Sequence, residues 1–258
     1  MCLVLLSFKC HLRYPFVFAS NRDESYARPS ASVAFWDDVP DVLAGRDMKD
    51  GGTWMGVTRK GRFAALTNYR DIASMKDGAP SRGWLVRDYL CGQETPVKYL
   101  ESVAAIANRY NAFNLIAGDV SQLFYFSNRS DGHITELSPG LYGLSNDLLD
   151  TPWVKVERGK KLLGDLLAGE NDPDPEDIFK ILADRSIPDD SQLPDTGIGL
   201  EWERILSPLF IAGPNYGTRS SLILMVDRKG HAKLLERNYN SHPDPWMTAK
   251  YEFRIQRD

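Results

Sequence analysis

The sequence predicts an α+β fold in which antiparallel sheets carry helices packed on their faces. Strand-like apolar runs come in pairs joined by turn residues, with Lys60-Gly61 and Arg228-Lys229-Gly230 as the clearest joints. Helical periodicity is confined to two blocks, 84–110 and 153–183, so the order is strands, helices, strands, helices, strands. The strand–helix–strand rhythm of a parallel sheet is missing.

At 258 residues, 43% hydrophobic and 26% charged, the chain can bury one large core. No linker-like stretch divides it, and a single domain over 1–258 is expected. Lys and Arg total 31 against 35 Asp and Glu, a net charge of −4. With no basic run and no aromatic residues set in a basic stripe, nucleic acid is excluded as a partner. The apolar start is too short to span a bilayer, and it lacks both the basic lead and the small-residue cleavage site of a secretory signal. Cys2, Cys10 and Cys91 form no CxxC pair, which argues against a disulfide framework or zinc finger and for a reducing compartment. A soluble cytoplasmic protein without a transmembrane segment is the expectation.

The elements read in order as follows. Leu3-Val4-Leu5-Leu6 is an unbroken apolar run, the mark of a strand buried on both faces. His11-Leu12-Arg13 turns the chain into a second strand over 14–19, which ends in the polar run Asn21-Arg22-Asp23-Glu24. Residues 28–52, dense in Pro, Gly and Asp, read as a loop. A hairpin over 53–58 and 62–69 follows, and its returning strand ends in Asn68. Helices are expected over 84–90 and 96–110, the second with Thr95 as N-cap and Pro96 at its first position. Strands resume at 113–117, 123–126, 134–137 and 142–146, the last ending in Asn146. Helices over 153–168 and 175–183 precede a mobile surface loop at 185–200. A hairpin over 220–227 and 231–237 and a closing strand at 251–255 complete the chain.

Cys2 is the residue on which a chemical reading turns. Removal of Met1 places a thiol and a free α-amine of pKa ~8 on one residue, a nucleophile with its own base. The structural alternative is a small buried core cysteine. An amino-terminal thiol also needs an acid to hold the amine and donors for an oxyanion. Asn21, Arg22, Asp23, Asn68, Asn146 and Arg219 stand at expected strand ends, where antiparallel neighbours share a rim. Asp23 suits the amine, an arginine lowers a thiol pKa, and Asn68 can donate its amide. Each of these residues taken singly reads equally as a cap or turn group.

Several blocks, in order, resemble the NRDE family, that of transport and Golgi organisation protein 2. They are Asn21-Arg22-Asp23-Glu24 with Arg28-Pro29, Gly51-Gly52-Thr53-Trp54, Leu66-Thr67-Asn68-Tyr69, Phe113-Asn114-Leu115, Tyr142-Gly143-Leu144-Ser145-Asn146, Thr151-Pro152-Trp153 and Tyr216-Gly217-Thr218-Arg219. The resemblance runs from Met1 to about Ile255. It implies the N-terminal-nucleophile superfamily and a four-layer αββα sandwich, two antiparallel sheets between helix layers. The enzymes nearest in pattern are the cholylglycine hydrolases and penicillin V acylases. Carried over, the resemblance implies site positions at Cys2, Arg22, Asp23, Asn68, Asn146 and Arg219; catalysis is expected of Cys2, Asp23, Asn68, Asn146 and Arg219, and ligand binding of Asn21 and Arg22. In those amidases the Arg and Asp of the second strand stand three apart, whereas Arg22 and Asp23 are adjacent. Neighbours on a strand point to opposite faces, so both face Cys2 only across a bulge, while Asn21 and Asp23 share a face.

The implied activity is hydrolysis of a non-peptide C–N (amide) bond of a small molecule by acyl transfer through Cys2, with no metal and no cofactor. The resemblance equally implies a non-catalytic alternative, binding and trafficking of haem or an acyl-CoA or other lipid in the same cleft. A third reading is a structural partner in membrane traffic. Haem needs soft or imidazole ligands. Cys2, Cys10, His11, His133, His231 and His242 are available, none in a Cys-Pro or CxxCH motif.

Overall fold

The structure is a computed structural model that describes residues 3–169, 171–239 and 247–256. The chain forms two compact units. The first combines Met1–Ala27 with Pro139–Glu252, and the second combines Arg28–Ser138 with Phe253–Asp258.

The first unit holds β1 (Leu3–Phe8), β2 (Phe16–Ser25), β10 (Gly140–Leu144), β11 (Tyr216–Val226), β12 (His231–Asn238) and most of β13 (Met247–Arg254). Their order in the sheet is β10-β1-β2-β11-β12-β13. β1 is therefore interior, paired antiparallel with β10 on one side and β2 on the other. All of its residues are buried, as its unbroken apolar run requires. Leu3, Leu5, Val17, Ala19, Ile223 and Met225 form one face of the sheet. That face packs on Val156 and Leu163 of α3 (Val154–Leu167) and on Ile178, Phe179 and Leu182 of α4 (Pro175–Leu182). Gly159 lets α3 sit close, because a Cβ there would lie 2.8 Å from Leu5 Cδ2. α4 opens with Pro175 behind the Asp174 N-cap, whose carboxylate accepts from the Glu176 amide.

The second unit is a seven-stranded antiparallel meander, ordered as in the chain. It comprises β3 (Ser30–Phe35), β4 (Val42–Asp47), β5 (Met55–Thr58), β6 (Arg62–Asn68), β7 (Phe113–Asp119), β8 (Gln122–Ser127) and β9 (Thr135–Glu136). Its helices are α1 (Gly83–Cys91) and α2 (Pro96–Ile106), the latter continued by a 3-10 turn over Ala107–Arg109. Leu85, Val86, Tyr89, Leu100 and Val103 of the helices meet Ala64, Leu66, Phe113, Leu115 and Phe126 of the sheet. Thr95 sits at the N-cap of α2 with no side-chain cap bond, and Pro96 occupies the first turn. Among the described residues, no helix is long and apolar enough to cross a membrane.

The α+β class, with antiparallel sheets carrying helices, is as the sequence predicts. Two stretches differ. Residues 28–52 are not a loop, because β3 and β4 run through them. The breakers lie around the strands: Pro29 precedes β3, while Asp37, Asp38 and Pro40 form the turn between β3 and β4. In 185–200 there is a 3-10 turn at Asp190–Gln192, and α5 (Leu200–Leu206) begins at its end. At seven residues α5 is too short to show periodicity.

Gly159→Val should push α3 off Leu5 and lower stability by about 1–3 kcal/mol, measured as a fall in the urea midpoint. A second test concerns pH. Burial pushes the Tyr89 phenol up to about 12, and burial also raises that of Tyr99. Unfolded phenols ionise near 10.0 while folded Tyr89 keeps its proton, so stability is intact below that pH and falls as pH rises toward 12. Unfolding midpoints measured from pH 9 to 11.5 should decline, and Tyr89→Phe should flatten the decline.

Candidate active site

The polar residues of β2 are not at a strand end. β2 continues to Ser25, and Ser20, Asn21, Arg22 and Asp23 are buried inside it. Alternation then sorts them. Asn21 and Asp23 fall on the side of Val17 and Ala19, facing the helices. Ser20 and Arg22 fall on the opposite side, with Val4 opposite Ser20 in the register.

Asn21 has a defined structural task. Its Nδ2 donates to Leu182 O at the end of α4 and to Leu209 O, each at 2.8 Å, and its Oδ1 accepts from Ser221 Oγ at 2.6 Å. Asp23 Oδ1 accepts from Thr218 Oγ1 at 2.6 Å, and the same hydroxyl accepts from the Ile211 amide at 2.9 Å. The Tyr216 hydroxyl donates to Asp23 O at 3.2 Å.

Thr218 reaches Asp23 because β11 is bulged. Thr218 pairs with Asp23 and Ser220 with Arg22, which leaves Arg219 as the extra residue. The bulge lies opposite β2, so Arg22 and Asp23 stay on opposite sides of the sheet. Arg219 Nη1 donates to Ser25 O at 2.9 Å and Tyr26 O at 3.2 Å. Burial first, then Asp23, pushes the Tyr26 phenol up, against the pull of Arg219 and Arg185.

Asn146 is buried just beyond β10, two residues after Leu144, which pairs with Val4. Asn68 belongs to the second unit, where it closes β6, half-buried opposite Phe113. Its neighbours Thr67 and Asn114 are fully buried and linked: Asn114 Nδ2 donates to Thr67 Oγ1 at 3.0 Å, and the Tyr125 hydroxyl donates to Asn114 Oδ1 at 2.7 Å. Cys2 and His242 lie outside the described residues. Of the other candidate haem ligands, Cys10 and His11 share the β1–β2 connection, His133 precedes β9 and His231 opens β12. His11 Nδ1 accepts from the Arg13 and Tyr14 amides, His133 faces Asp131, His231 pairs with Asp227, and Cys10 is exposed. Among the described residues no group of three or more His, Cys, Asp or Glu could hold a metal ion.

Thr218 and Ser221 were not legible as site residues. The only sequence signal is the small polar run Gly217-Thr218-Arg219-Ser220-Ser221 ahead of an apolar strand.

The fold is of the N-terminal-nucleophile hydrolase type. The Caenorhabditis elegans N-acylethanolamine-hydrolyzing acid amidase ortholog superposes with a TM-score of 0.53 at 10% identity, over 86% of this chain and 92% of that one. A variant of the conjugated bile acid hydrolase from Clostridium perfringens superposes at 0.50 and 12% identity, over 100% and 98%. The chain belongs to the transport and Golgi organisation 2 family, whose model matches residues 1–241. It is 37% identical to the Bos taurus transport and Golgi organization protein 2 homolog over 99% of this chain and 100% of that one. Identity to the Homo sapiens homolog is 35% over the same shares, and to the Drosophila melanogaster protein 27% over 86% of each.

Thr218→Val keeps the shape of the side chain but removes the hydroxyl between Asp23 and the Ile211 amide. It should cost about 1–3 kcal/mol of stability, read by chemical denaturation.

Proposed function

We propose that the chain is an N-terminal cysteine hydrolase of non-peptide C–N (amide) bonds. The observation that carries this reading is the register of β1 on β2. Leu3, the residue after Cys2 in the sequence, pairs with Asn21, the residue that precedes Arg22 and Asp23 in β2. The fold supports it, since one structure that shares it is named an acid amidase and another a conjugated bile acid hydrolase.

In the proposed reaction the α-amine takes the Cys2 thiol proton, and sulfur attacks the substrate carbonyl. Asn146 donates to the oxyanion, a contribution worth ~3 kcal/mol. The C–N bond breaks, the proton passes to the leaving nitrogen, and water then hydrolyses the thioester to free acid and thiol. Asp23 holds the amine, Arg22 favours the thiolate, and Arg219 contributes a second cation beside the stretch.

Intact mass first establishes whether Met1 is removed. Met1-free protein incubated with simple N-acyl amides and lactones should release product and carry an acyl adduct on Cys2. Cys2→Ala should abolish turnover while leaving ligand binding nearly intact, and Cys2→Ser should keep a trace. Stoichiometric binding of haem or a long-chain acyl-CoA, with no adduct on any substrate, would instead establish a carrier, with Arg22 and Arg219 as cations for propionate or phosphate.

A further inference from the structure

Just past α4, Arg185 stands exposed with its guanidinium over the Phe210 ring, 4.7 Å from the centroid. Phe210 is buried and meets Tyr239 edge to face at 4.9 Å. The segment is fixed, because the Phe210 amide donates to Asp184 O at 2.9 Å. Among the described residues, no hydrogen bond or ion pair engages the Arg185 guanidinium. The adjacent carboxylate, Asp184, is held instead by Arg158 Nε at 2.5 Å and by the Ser186 amide at 2.8 Å. An arginine set over a ring keeps its planar fork of N–H donors, the geometry that matches a carboxylate or phosphate.

Arg219 comes to the same side of the sheet. Ser221, bonded to Asn21, faces the helices, and alternation puts Arg219 with it. The Tyr239 amide donates to Arg219 O at 2.8 Å, so the ring that meets Phe210 is placed by the bulged strand. Arg219 Nη1 in turn holds the end of β2 through Ser25 O and Tyr26 O. Both cations, Arg219 and Arg185, act on the Tyr26 phenol. That hydroxyl packs on Gly217, where a Cβ would collide with it. It is half-buried and enters no hydrogen bond among the described residues. Burial pushes the phenol up, so the hydroxyl keeps its proton and can donate it. Asp23 acts on the same phenol, one negative charge against two positive ones.

We infer that Tyr26, Arg185 and Arg219 form an oxyanion-binding site that takes the carboxylate or phosphate group of a small ligand. Arg185 supplies a charge-assisted fork, Tyr26 a hydroxyl donor and Arg219 a second positive charge. The site adjoins the Asp23–Thr218 bond, since Ile211, the residue after Phe210, donates its amide to Thr218 Oγ1. Binding there requires nothing of Cys2.

Calorimetric titration of the full chain with octanoate, octyl phosphate and octanol tests the site, because the three share a tail and differ in the head. The parent should bind at least one of the two anions about tenfold or more tightly than octanol. Tighter octyl phosphate would mark the ligand as a phosphate ester, and tighter octanoate as a carboxylic acid. Arg185→Gln and Tyr26→Phe should each weaken the favoured anion about tenfold and leave octanol unchanged, since each removes a hydrogen bond to a charged group. Arg185→Lys should recover only part of the loss, because it keeps the charge and gives up the fork. Equal binding of all three probes, or anion binding that neither substitution changes, would overturn the site. A second measurement needs no variant. Phenylglyoxal should modify the exposed Arg185, located by peptide mass, and the favoured anion at about ten times its Kd should slow that reaction about tenfold. An Arg185 that reacts at the same rate with the anion present would equally overturn it. Neither readout depends on turnover, so failure of the anion site and failure of the Cys2 chemistry are told apart.

Discussion

Alternation along β2 governs the candidate site. Because β2 is paired on both flanks, by β1 and by β11, its residues cannot rotate to suit a ligand. Asn21 and Asp23 are committed to the helix side, Ser20 and Arg22 to the other. The bulge at Arg219 does not relax that division; it re-aims Thr218 onto the Asp23 carboxylate. A continuous run of polar residues can be buried here because the chain supplies partners from distant segments. Asn21 alone joins the end of α4, the Leu209 carbonyl and β11. Such groups are costly to bury unless bonded, so once bonded they hold those segments in one arrangement.

The same bonds explain why the region around Leu209–Ile211 is well anchored despite little regular structure. The Ile211 amide donates to Thr218 Oγ1, the Thr218 amide donates to Ile211 O, and the Phe210 amide donates to Asp184 O. A segment held from three directions forms a firm wall on the helix side of β2 and β11. The carboxylate of Asp23 is set by that wall as much as by its own strand.

Much of the fold was legible where one physical signal dominated. The unbroken apolar run of β1 required a paired interior strand, and Gly61, with φ +84, marked the β5–β6 hairpin by supplying the left-handed residue of its turn. The β3–β4 pair was not legible, because breakers at its ends dominate the local composition and the strands are short. α5 follows Gly197 and Gly199, both with positive φ, which read as loop. At the site, the residue types in Asn21-Arg22-Asp23 pointed to chemistry, but their sides did not follow from the sequence alone. A polar run after an apolar strand looks like a rim. Only pairing with β11, almost two hundred residues later, shows that the strand carries on through it. The role of Asn21 as a link between carbonyls depends on Leu182 and Leu209, contacts that no local pattern announces.

The chain order of the two units also bears on synthesis. Between β2 and β10 the second unit is inserted whole apart from its tail, so the first unit is interrupted after Ala27 and resumes at Pro139. On a ribosome, the meander can pair each strand with the one just made, since its spatial order is its sequence order. β2 must wait, with one edge unpaired, until β11 emerges. The residues that flank Arg22 and Asp23 are thus assembled late, and a nascent chain halted before Tyr216 holds a β2 whose backbone edge is unpaired, a form suited to chaperone capture and prone to aggregate.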